Sequence, residues 1–326
     1  MKRRRERIDR HLAQSNEDLV TRVAWLYYKE KMTQQEIAEH VSLSRQKVQR
    51  LVEKARDLDI IQFTLKHPYM NLLSIESAIR KKFGLKDAVV TPSGSEDPER
   101  VRQVFAMAGA AYLERKIGAE EKCILGIGWG NTTAYLADYF EPQQLARKVD
   151  VVSLIGNLML NVSMNPYIMA EKIARKLGAS FYNIWAPAIA QTKARADVFK
   201  SEPWIKQVLD TGARANIILI SIGEASKSAS LFKMGYLSAA DLQRLIGKGA
   251  VGDILCRYFD ERGEFIDDEV HSRVIGIPME VFNDQRKLII AVAGGSAKVK
   301  AIRAALLKKY INVLITNEST AVELLR

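Results

Sequence analysis

Residues 287–306 read KLIIAVAGGSAKVKAIRAAL, and the order of residue types in this stretch decides the fold. An apolar run of strand length comes first, the pair Gly294-Gly295 follows, and the remaining residues place apolar side chains at helical spacing. Short continuous apolar runs are typical of strands that are buried on both faces, as in a parallel sheet. The stretch therefore predicts a parallel strand, a glycine turn at its carboxyl end and a helix that covers the sheet.

The same pattern recurs along most of the chain. Apolar runs begin near residues 123, 150, 179, 215, 251 and 311, and helical patterns separate them. Strands that alternate with helices form crossover units, so we predict a large Rossmann-like α/β domain with a mainly parallel sheet and helices on both faces. This domain spans residues 91–326 and begins with a loop at 91–99. Residues 67–90 are predicted to be a linker whose helix, over 71–84, ends at Gly84 and carries subunit contacts.

A different pattern occupies the N-terminal fifth of the chain, where residues 33–55 read TQQEIAEHVSLSRQKVQRLVEKA. Thr33 with Glu36 forms a capping box that predicts a helix from about residue 34, and Ser44 caps the next helix. An amphipathic stretch over 19–31 adds a preceding helix. Together they predict a small all-helical helix-turn-helix domain over residues 1–66, with a short strand or wing at IIQFTL, residues 60–65.

The second helix of this motif has a polar outer face. In a helix-turn-helix, its first side chains enter the major groove, where Arg suits guanine and Gln suits adenine, while further basic residues contact phosphates. We therefore predict operator DNA as a partner, contacted by Thr33, Gln34, Ser44, Arg45, Gln46, Lys47, Gln49 and Arg50. Ser42 stands where such motifs usually have Gly, because that residue often adopts a left-handed conformation. The basic residues 2–10 fit either a solvent-exposed tip or an arm that contacts phosphates.

Composition favours a polyanionic partner and excludes a membrane protein. The 326 residues carry a net charge of +11, and residues 1–66 contribute +5 with 15 basic and 10 acidic side chains. The apolar runs are far shorter than the roughly 20 residues of a membrane helix, and no secretory signal is visible, so we expect a cytoplasmic protein. Cys123 and Cys256 lie in apolar runs and are expected to be buried, free thiols. We expect neither a metal nor a cofactor.

Glycine turns after the strands mark the expected ligand site, because ligands of parallel α/β sheets bind beyond the carboxyl ends of the strands. GIGWGNTTAY at 126–135 lacks the spacing of a dinucleotide fingerprint or a P-loop, and an ordinary strand-to-helix turn is a second interpretation. Its polar residues open a helix whose free N–H groups can hold phosphate or hydroxyl oxygens. Lys298 is placed to neutralise an anion and Asp253 to accept bonds from sugar hydroxyls. The predicted site comprises Gly128, Trp129, Gly130, Asn131, Thr132, Thr133, Asp253 and Lys298.

Three segments together resemble the SorC family of sugar-responsive bacterial transcriptional regulators. They are RVAWLYYKEKMTQQEIAEHVSLSRQKVQRLVEKA and, far downstream, GYLSAADLQRLIGKGAVGDILCRYFD and AVAGGSAKVKAIRAAL. The resemblance extends from about Asp18 to Arg326 and implies a sensor domain related to sugar-phosphate isomerases and deaminases. It also implies a homo-oligomer, tetramer or dimer, and a phosphorylated sugar or polyol as effector. In the family, the positions that match Gly128 to Thr133, Asp253 and Lys298 hold the effector, whereas Ser42 departs from the family's frequent glycine.

The main alternative is an enzyme, a sugar-phosphate isomerase or deaminase with an accessory DNA-binding module. That chemistry needs a positioned general base and acid. Among the four histidines only His271 lies in the sensor, beside the acidic residues Asp267 to Glu269. This histidine could form a pair with a neighbouring carboxylate, or it could be an exposed residue of a loop. We expect the exposed residue. A nucleic-acid coating protein would not need so large a ligand-binding domain. We therefore predict that the protein has no catalytic residues. We predict a sequence-specific regulator of a sugar or polyol catabolic operon, whose activity the effector controls.

Overall fold

Residues 18–61, 70–93, 97–141, 148–158 and 166–326 are described by the structure, a computed structural model. The chain divides between Pro68 and Tyr69 into two units. Two predicted features fall outside the described residues: the basic residues 2–10 and most of the strand over 60–65, of which Ile60 and Ile61 form a bend. Within the described ranges, no helix is both long enough and apolar enough to cross a bilayer.

The described part of the N-terminal unit contains helix α1 over residues 18–28, α2 over Gln34–His40 and α3 over Arg45–Asp57. The predicted capping box is confirmed, because the Glu36 N–H donates to Thr33 Oγ1 and the Thr33 N–H donates to Glu36 Oε2. Ser44 Oγ accepts a hydrogen bond from the Lys47 N–H and caps α3. Apolar side chains from the three helices form one core: Val20, Val23, Ala24, Ile37, Ala38, Val48, Leu51, Val52 and Ala55.

The turn between α2 and α3 has the conformation expected at Ser42. The φ angle of Ser42 is +54°, in the left-handed region that glycine adopts at the lowest cost. The following residue turns back onto α2, since the Leu43 N–H donates to the Ala38 carbonyl at 2.9 Å. The two helices are thus joined by a tight turn, and the unit has the predicted helix-turn-helix form.

The second unit contains a large parallel sheet and a small antiparallel sheet. In chain order, the strands are β1 Asp87–Thr91, β2 Cys123–Ile127, β3 Val149–Ser153, β4 Ser180–Tyr182, β5 Ile217–Ile220, β6 Gly223–Glu224, β7 Gly252–Ile254, β8 Arg257–Phe259, β9 Leu288–Val292 and β10 Val313–Asn317. Seven of them form the large sheet in the order β1-β10-β9-β5-β2-β3-β4, and every pair in it is parallel. The predicted α/β class is confirmed.

Helices cover both faces of the large sheet. In chain order, they are α4 Met70–Phe83, α5 Pro98–Ala119, α6 Asn131–Tyr139, α7 Pro166–Leu177, α8 Lys193–Ser201, α9 Pro203–Ala213, α10 Ser230–Lys233, α11 Ala239–Gly247, α12 Glu269–Arg273, α13 Val299–Leu307 and α14 Glu318–Leu325. On one face, α5, α6 and α7 bury side chains such as Phe105, Leu136 and Ile173. On the other, α4, α13 and α14 contribute to a second core. The strands of the large sheet are therefore buried on both faces, as the continuous apolar runs predicted.

The prediction for residues 251–259 was wrong. This run was expected to be one parallel strand, but it forms the hairpin β7–β8, which pairs with β6 in the small antiparallel sheet. The chain reverses at Leu255 and Cys256, whose φ angles are +50° and +64°. Two successive left-handed residues match the geometry of a two-residue hairpin turn, for which Asn and Gly are the usual residues. Because Leu and Cys are uncommon there, the sequence concealed the turn.

Residues 67–90 differ from the predicted linker. The helix itself is confirmed, and it ends where Gly84 adopts a φ of +67°. Its apolar face, however, packs on the second unit, because Leu72, Ile75 and Ile79 are buried in the core of that unit. The strand β1 follows at once and pairs with β10. The predicted loop at 91–99 is also shorter, because Thr91 ends β1 and α5 begins at Pro98.

Candidate effector cavity and DNA-contact face

The strand order of the large sheet reverses beside β2. From β2 the chain continues outward to β3 and β4, whereas β5 returns to the other side of β2 and is followed by β9 and β10. In an open parallel sheet, such a reversal leaves a crevice beyond the carboxyl ends of the strands, and ligands bind there. The expected ligand site therefore lies beyond the ends of β2, β5 and β9.

A cavity of about 650 Å³ lies at this place. It is bounded by the residues that follow β2, β5 and β9, by the end of β10, by the first turns of α5 and by α10 with its preceding loop. This volume is typical of pockets that bind a small molecule. Polar and charged side chains among its lining residues are Arg102, Ser221, Glu224, Ser228, Ser230, Lys233, Asp253, Lys298 and Asn317.

Asp253, on β7, is a buried carboxylate of this cavity, with 3% of its surface exposed. Its Oδ2 accepts a hydrogen bond of 3.0 Å from the Cys256 N–H in the hairpin turn. Burial raises the pKa of Asp253 to about 6, although the Cys256 hydrogen bond and the nearby charge of Lys298 act in the opposite direction. The side chain is therefore ionised at neutral pH and can accept hydrogen bonds from ligand hydroxyls.

Three cationic side chains, Arg102, Lys233 and Lys298, are among the described residues that line the cavity. Burial lowers the pKa of Lys298, whereas the charges of Glu224 and Asp253 raise it. The Lys298 ammonium forms neither an ion pair nor a hydrogen bond within the described part of the chain. Three cations thus face two carboxylates, which suits a ligand that has both an anionic group and hydroxyls.

Asn317 supplies an unsatisfied acceptor at the end of β10. Its Nδ2 donates to Ser319 Oγ at 2.7 Å and to Ser93 Oγ at 3.3 Å, while its buried Oδ1 has no hydrogen-bond partner among the residues that the structure describes. A buried polar atom without a partner is costly, so a ligand hydroxyl would stabilise this arrangement. Glu224 also faces the cavity, and its Oε1 accepts hydrogen bonds from two serine side chains of the adjoining loop, Ser226 and Ser228.

The predicted site residues occupy different places around the cavity. Trp129, Gly130, Asp253 and Lys298 line it. Gly128 lies behind the lining, where its N–H donates to the Leu219 carbonyl. Thr133 is fully buried, and its hydroxyl donates to the Gly130 carbonyl at 2.9 Å. The backbone of Asn131 and Thr132 begins α6, and their side chains lie outside the described part.

Arg102, Glu224 and Asn317 were missed by the sequence analysis. Asn317 carried a signal, because it is a polar residue at the carboxyl end of the apolar run INVLITN. By the rule that ligands bind beyond strand ends, it should have been included. Arg102 lies on α5, which is remote in sequence from the glycine turns, and Glu224 lies in the two-residue strand β6. Neither position has a recognisable motif.

His271 is not the exposed loop residue that was expected. It lies on α12, is mostly buried, and its Nε2 accepts a hydrogen bond of 2.7 Å from the Tyr258 N–H. Burial lowers its pKa to about 4, and the charge of Arg257 contributes in the same direction. The ring is therefore neutral at pH 7 and holds the backbone of β8. It does not line the cavity, and no histidine is found among the described residues that do.

The N-terminal unit presents a basic face along α3. Arg45, Gln46, Lys47, Gln49 and Arg50 are exposed, whereas Val48 and Leu51 point into the core. Gln49 Nε2 donates to Glu53 Oε1 on the same helix. The Thr33 and Ser44 hydroxyls cap their helices, and Gln34 is half-buried in the first turn of α2. A helix-turn-helix with this face, followed in the chain by a parallel α/β unit with a polar cavity, defines a ligand-responsive transcriptional regulator.

Comparison with known proteins identifies the family. The family model of the sugar-binding domain matches residues 67–326. The chain belongs to the SorC family of sugar-responsive bacterial transcriptional regulators. Its relatives and solved neighbours are named regulators rather than enzymes, so the isomerase or deaminase alternative is not favoured.

The similarity extends over almost the full length of the relatives. The erythritol catabolism regulatory protein EryD of Brucella abortus is 29% identical over 95% of this chain and 97% of its own. The deoxyribonucleoside regulator of Bacillus subtilis is 31% identical over 94% of this chain and 96% of its own. The full-length sorbitol operon regulator SorC from Klebsiella pneumoniae superposes with a TM-score of 0.74 and 27% identity, over 95% of this chain and 98% of that one.

Proposed function

We propose that the effector of this sugar-responsive regulator is a phosphorylated sugar or polyol that binds in the cavity lined by Asp253 and Lys298. The observation that carries the proposal is the mixed charge of that cavity, where three cations and two carboxylates meet beyond the ends of neighbouring strands. A neutral sugar would leave the cationic excess unpaired, whereas a phosphate group would neutralise it. Two relatives are named for erythritol catabolism and for the sorbitol operon, and erythritol and sorbitol are polyols, which supports the same class of ligand.

In this proposal, the phosphate group of the effector binds at the turn after β9. Lys298 provides an ammonium that has no ion-pair partner in the described part of the chain, and the charge of Arg102 lowers the Lys298 pKa further. The turn also starts a helical segment, first the 3₁₀ helix Ser296–Lys298 and then α13, and the first N–H groups of a helix favour anions. Binding of phosphate would relieve the repulsion between the two cations.

The hydroxyls of the effector would be bound by the acceptors on the other side of the cavity. Asp253 and Glu224 offer carboxylate oxygens, and Asn317 offers the unsatisfied Oδ1. The turn after β2, with Gly128, Trp129, Gly130, Asn131, Thr132 and Thr133, would close the site through its backbone and the start of α6. A ligand with several hydroxyls can use all of these acceptors, which is why we favour a sugar or polyol.

Calorimetric titration with matched pairs of sugars, polyols and their phosphates tests this proposal. We expect one phosphorylated member to bind, and its dephosphorylated partner to bind at least about tenfold more weakly, as for loss of one charge-assisted contact. Lys298→Gln should remove this preference. Lys227→Gln is the control, because Lys227 is exposed on the neighbouring loop and does not line the cavity. Equal binding of both pair members to the unaltered protein would refute the proposed phosphate.

For the DNA-binding part, we assign residues 1–66 to operator recognition and 91–326 to effector binding, with α4 and β1 packed on the latter. Arg45, Gln46 and Gln49 would contact base edges, and Lys47 and Arg50 would contact phosphates. Thr33, Gln34 and Ser44 would contribute through the first turns of α2 and α3, where free N–H groups favour a DNA phosphate. The regulator would act in the cytoplasm, where bacterial operators are.

We further propose that the protein is a homo-oligomer, either a dimer or a tetramer. A single helix-turn-helix reads a half-site of only a few base pairs, and paired units on a symmetric operator supply the missing affinity and specificity. Sedimentation of the full chain, with and without operator DNA, measures this directly. A monomer bound to each operator would contradict the proposal.

A further inference from the structure

His271, on α12, lies outside the effector cavity but contacts the hairpin that carries Asp253. Its Nε2 atom accepts a hydrogen bond of 2.7 Å from the Tyr258 N–H of β8. Because β8 is an edge strand of the small sheet, its outward N–H groups need acceptors from another part of the chain. The His271 imidazole therefore takes the place that the carbonyl of a further strand would occupy.

Tyr258 is the cross-strand neighbour of Asp253 in the hairpin. Its N–H donates to His271 and its carbonyl accepts from the Ile266 N–H at 2.9 Å, so both groups point away from β7. In an antiparallel ladder, the pairs whose backbone groups point outward have the shortest Cα separation and the closest side chains. The Tyr258 side chain is also fully buried, and a packed interior leaves it little room to move aside. A shift of β8 would therefore displace Asp253.

The turn of the same hairpin orients the Asp253 carboxylate, whose Oδ2 accepts a hydrogen bond of 3.0 Å from the Cys256 N–H. Leu255 and Cys256 both have left-handed φ angles, which are unfavourable for residues with a Cβ. The turn therefore depends on the surrounding structure for its conformation. Tyr258 follows this turn by two residues, so the hydrogen bond to His271 holds the strand that leaves it.

His271 can hold β8 only because α12 is itself anchored. Asp268 has a fully buried side chain and caps the first turn of α12. Its carboxylate accepts hydrogen bonds of 2.8 and 3.1 Å from Arg244 on α11 and of 3.0 Å from Lys248 at the end of that helix. Such charge-assisted bonds are strong, and β7 begins shortly after α11 ends. The hairpin, α12 and α11 are thus joined in a closed ring of contacts.

We propose that His271 is a positioning residue of the effector site, which acts through Tyr258 and the hairpin turn to hold the Asp253 carboxylate toward the ligand. The inference rests on the proposed function, because it requires that Asp253 binds an effector hydroxyl. A hydrogen bond weakens steeply when its angle is wrong, so a carboxylate that is already fixed binds a hydroxyl more tightly than a mobile one. Asp268, an acidic neighbour of His271 in the sequence, contributes by anchoring α12.

Substitutions of His271 separate its hydrogen bond from its volume. His271→Phe keeps a ring but has no acceptor, whereas His271→Gln supplies an amide oxygen that can accept from Tyr258. His271→Leu, which is smaller and also lacks an acceptor, replaces His271→Phe if that variant does not fold. Ser272→Ala is the matched control on α12, because the Ser272 hydroxyl donates to the Glu269 carbonyl of the same helix.

Hydrogen exchange of the full chain without effector tests the link from His271 to the hairpin. We expect His271→Phe to speed up exchange of the Tyr258 and Cys256 amides by at least about tenfold, because an unsatisfied N–H loosens both the strand and the turn. His271→Gln should restore the protection of both amides, and Ser272→Ala should not change it. An unchanged exchange rate at Cys256 would overturn the proposal, because His271 would then not act on the group that orients Asp253.

Calorimetric titration with the same panel of sugars, polyols and their phosphates tests the effect on the site. The member that binds the unaltered protein should bind His271→Phe at least about tenfold more weakly, and His271→Gln with nearly unaltered affinity. In an Asp253→Asn background, His271→Phe should change the affinity by less than about threefold, since the carboxylate that it positions is gone.

A purely structural role of His271 predicts other results. His271→Phe would then lower the melting temperature without changing the affinity, or it would weaken binding equally with and without the Asp253 carboxylate. Either result would refute the positioning role while the proposed effector class stands. If no member of the panel binds the unaltered protein, the proposed function fails, and the exchange rate at Cys256 alone decides this inference.

Discussion

The position of Asp253 depends on a glycine across the small sheet. Gly223 pairs with Asp253, and a Cβ built on Gly223 would lie 1.8 Å from Asp253 Oδ1. No side chain larger than hydrogen fits there unless the carboxylate moves. Since Oδ2 is held by the Cys256 N–H, movement of Asp253 breaks this bond as well. The glycine therefore sets the geometry of the predicted hydroxyl-binding carboxylate.

Gly223→Ala is expected to weaken effector binding by at least about tenfold and to destabilise the sensor by roughly 1–3 kcal/mol, as for overpacking of a filled interior. Calorimetry with the effector found in the ligand panel, together with thermal unfolding, measures both effects. Gly118→Ala is the control, because a Cβ at Gly118 on α5 would meet nothing within 4 Å. Normal effector affinity in Gly223→Ala would show that Asp253 does not touch the ligand.

The raised pKa of Asp253 predicts a pH dependence of effector binding. The folded pKa is about 6 and the ordinary value is 3.8, so the unliganded protein protonates this carboxyl as the pH falls through 6. Burial thus favours the neutral form of the carboxyl. The contribution of this group to the free energy of unfolding is present at low pH and is lost as the pH rises through 6. A ligand whose hydroxyls donate to the carboxylate needs the ionised form. Affinity should therefore rise between pH 5 and about 7.

Asp253→Asn is the comparison for this titration. An effector phosphate also ionises near pH 6, so the quantity to measure is the difference in pH dependence between the two proteins. We expect the variant to bind more weakly at pH 7.5, by roughly 10- to 100-fold, and to lose the part of the pH dependence that belongs to the carboxyl. Identical pH profiles for the two proteins would exclude a direct contact between Asp253 and ligand hydroxyls.

Part of the cavity could be predicted from the sequence, for an identifiable reason. Trp129 and Gly130 follow β2 closely, and Lys298 comes just after the glycine turn that follows β9. Both positions are visible in the sequence as an apolar run that ends in glycine. Asp253 was predicted as a carboxylate near the start of an apolar run, and the family resemblance supported it, although the run itself was predicted in the wrong sheet. Arg102 comes from a different crossover unit, so only the packed fold places it beside Lys298. Tertiary proximity of this kind leaves no local pattern.

The turn between α2 and α3 combines a favourable and an unfavourable residue. Ser44 caps α3, whereas Ser42 adopts a left-handed φ that costs a residue with a Cβ roughly 1 kcal/mol. Ser42→Gly should therefore stabilise the motif slightly, by about 0.5 kcal/mol after the entropy cost of glycine. Ser44→Ala should destabilise it by about 1 kcal/mol through loss of the cap. Hydrogen exchange of the α2 and α3 amides in the full chain measures the change in stability for each variant. Two changes of the same sign would contradict the opposite roles of Ser42 and Ser44.

The two kinds of exposed residue on α3 should respond differently to substitution. Arg45→Ala is expected to cost about 1–3 kcal/mol on operator DNA and to reduce discrimination against random DNA, because it removes a base contact. Lys47→Ala should weaken binding to both DNAs equally and reduce the salt slope by about 1, because it removes a phosphate contact. Fluorescence anisotropy at several salt concentrations separates the two. Unchanged discrimination in Arg45→Ala would exclude base readout by this residue.

Long periodic elements were predicted well, and short or ambiguous ones were not. The capping box, α3 and the strands β2, β5, β9 and β10 have clear signals, because each is a strong local pattern. The strand β1 was overlooked, since DAVVT is brief and follows a helix that was taken for a linker. The hairpin β7–β8 looked like one strand, since its turn residues Leu255 and Cys256 are apolar. In both cases tertiary packing decided what local propensity could not.

Effector binding and DNA binding are coupled through a free energy. In the cavity, the effector would contact residues at the ends of β2, β5, β9 and β10 and residues of the small sheet. Effector binding can control DNA affinity only if the effector binds two states of the protein with different affinity. Typical couplings of about 1–3 kcal/mol change the affinity for the second ligand roughly 5- to 150-fold. The predicted change in operator affinity therefore falls in this range.

The most direct test is the affinity of the full chain for an operator fragment, selected from a random-sequence pool, with and without a saturating amount of the identified sugar or polyol phosphate. We predict a change of roughly 5- to 150-fold for the unaltered protein. The Lys298→Gln variant should bind the operator with the same affinity as the unaltered protein and show no change with effector. An operator affinity that stays constant while calorimetry shows the effector fully bound would contradict the central claim that this cavity controls DNA binding.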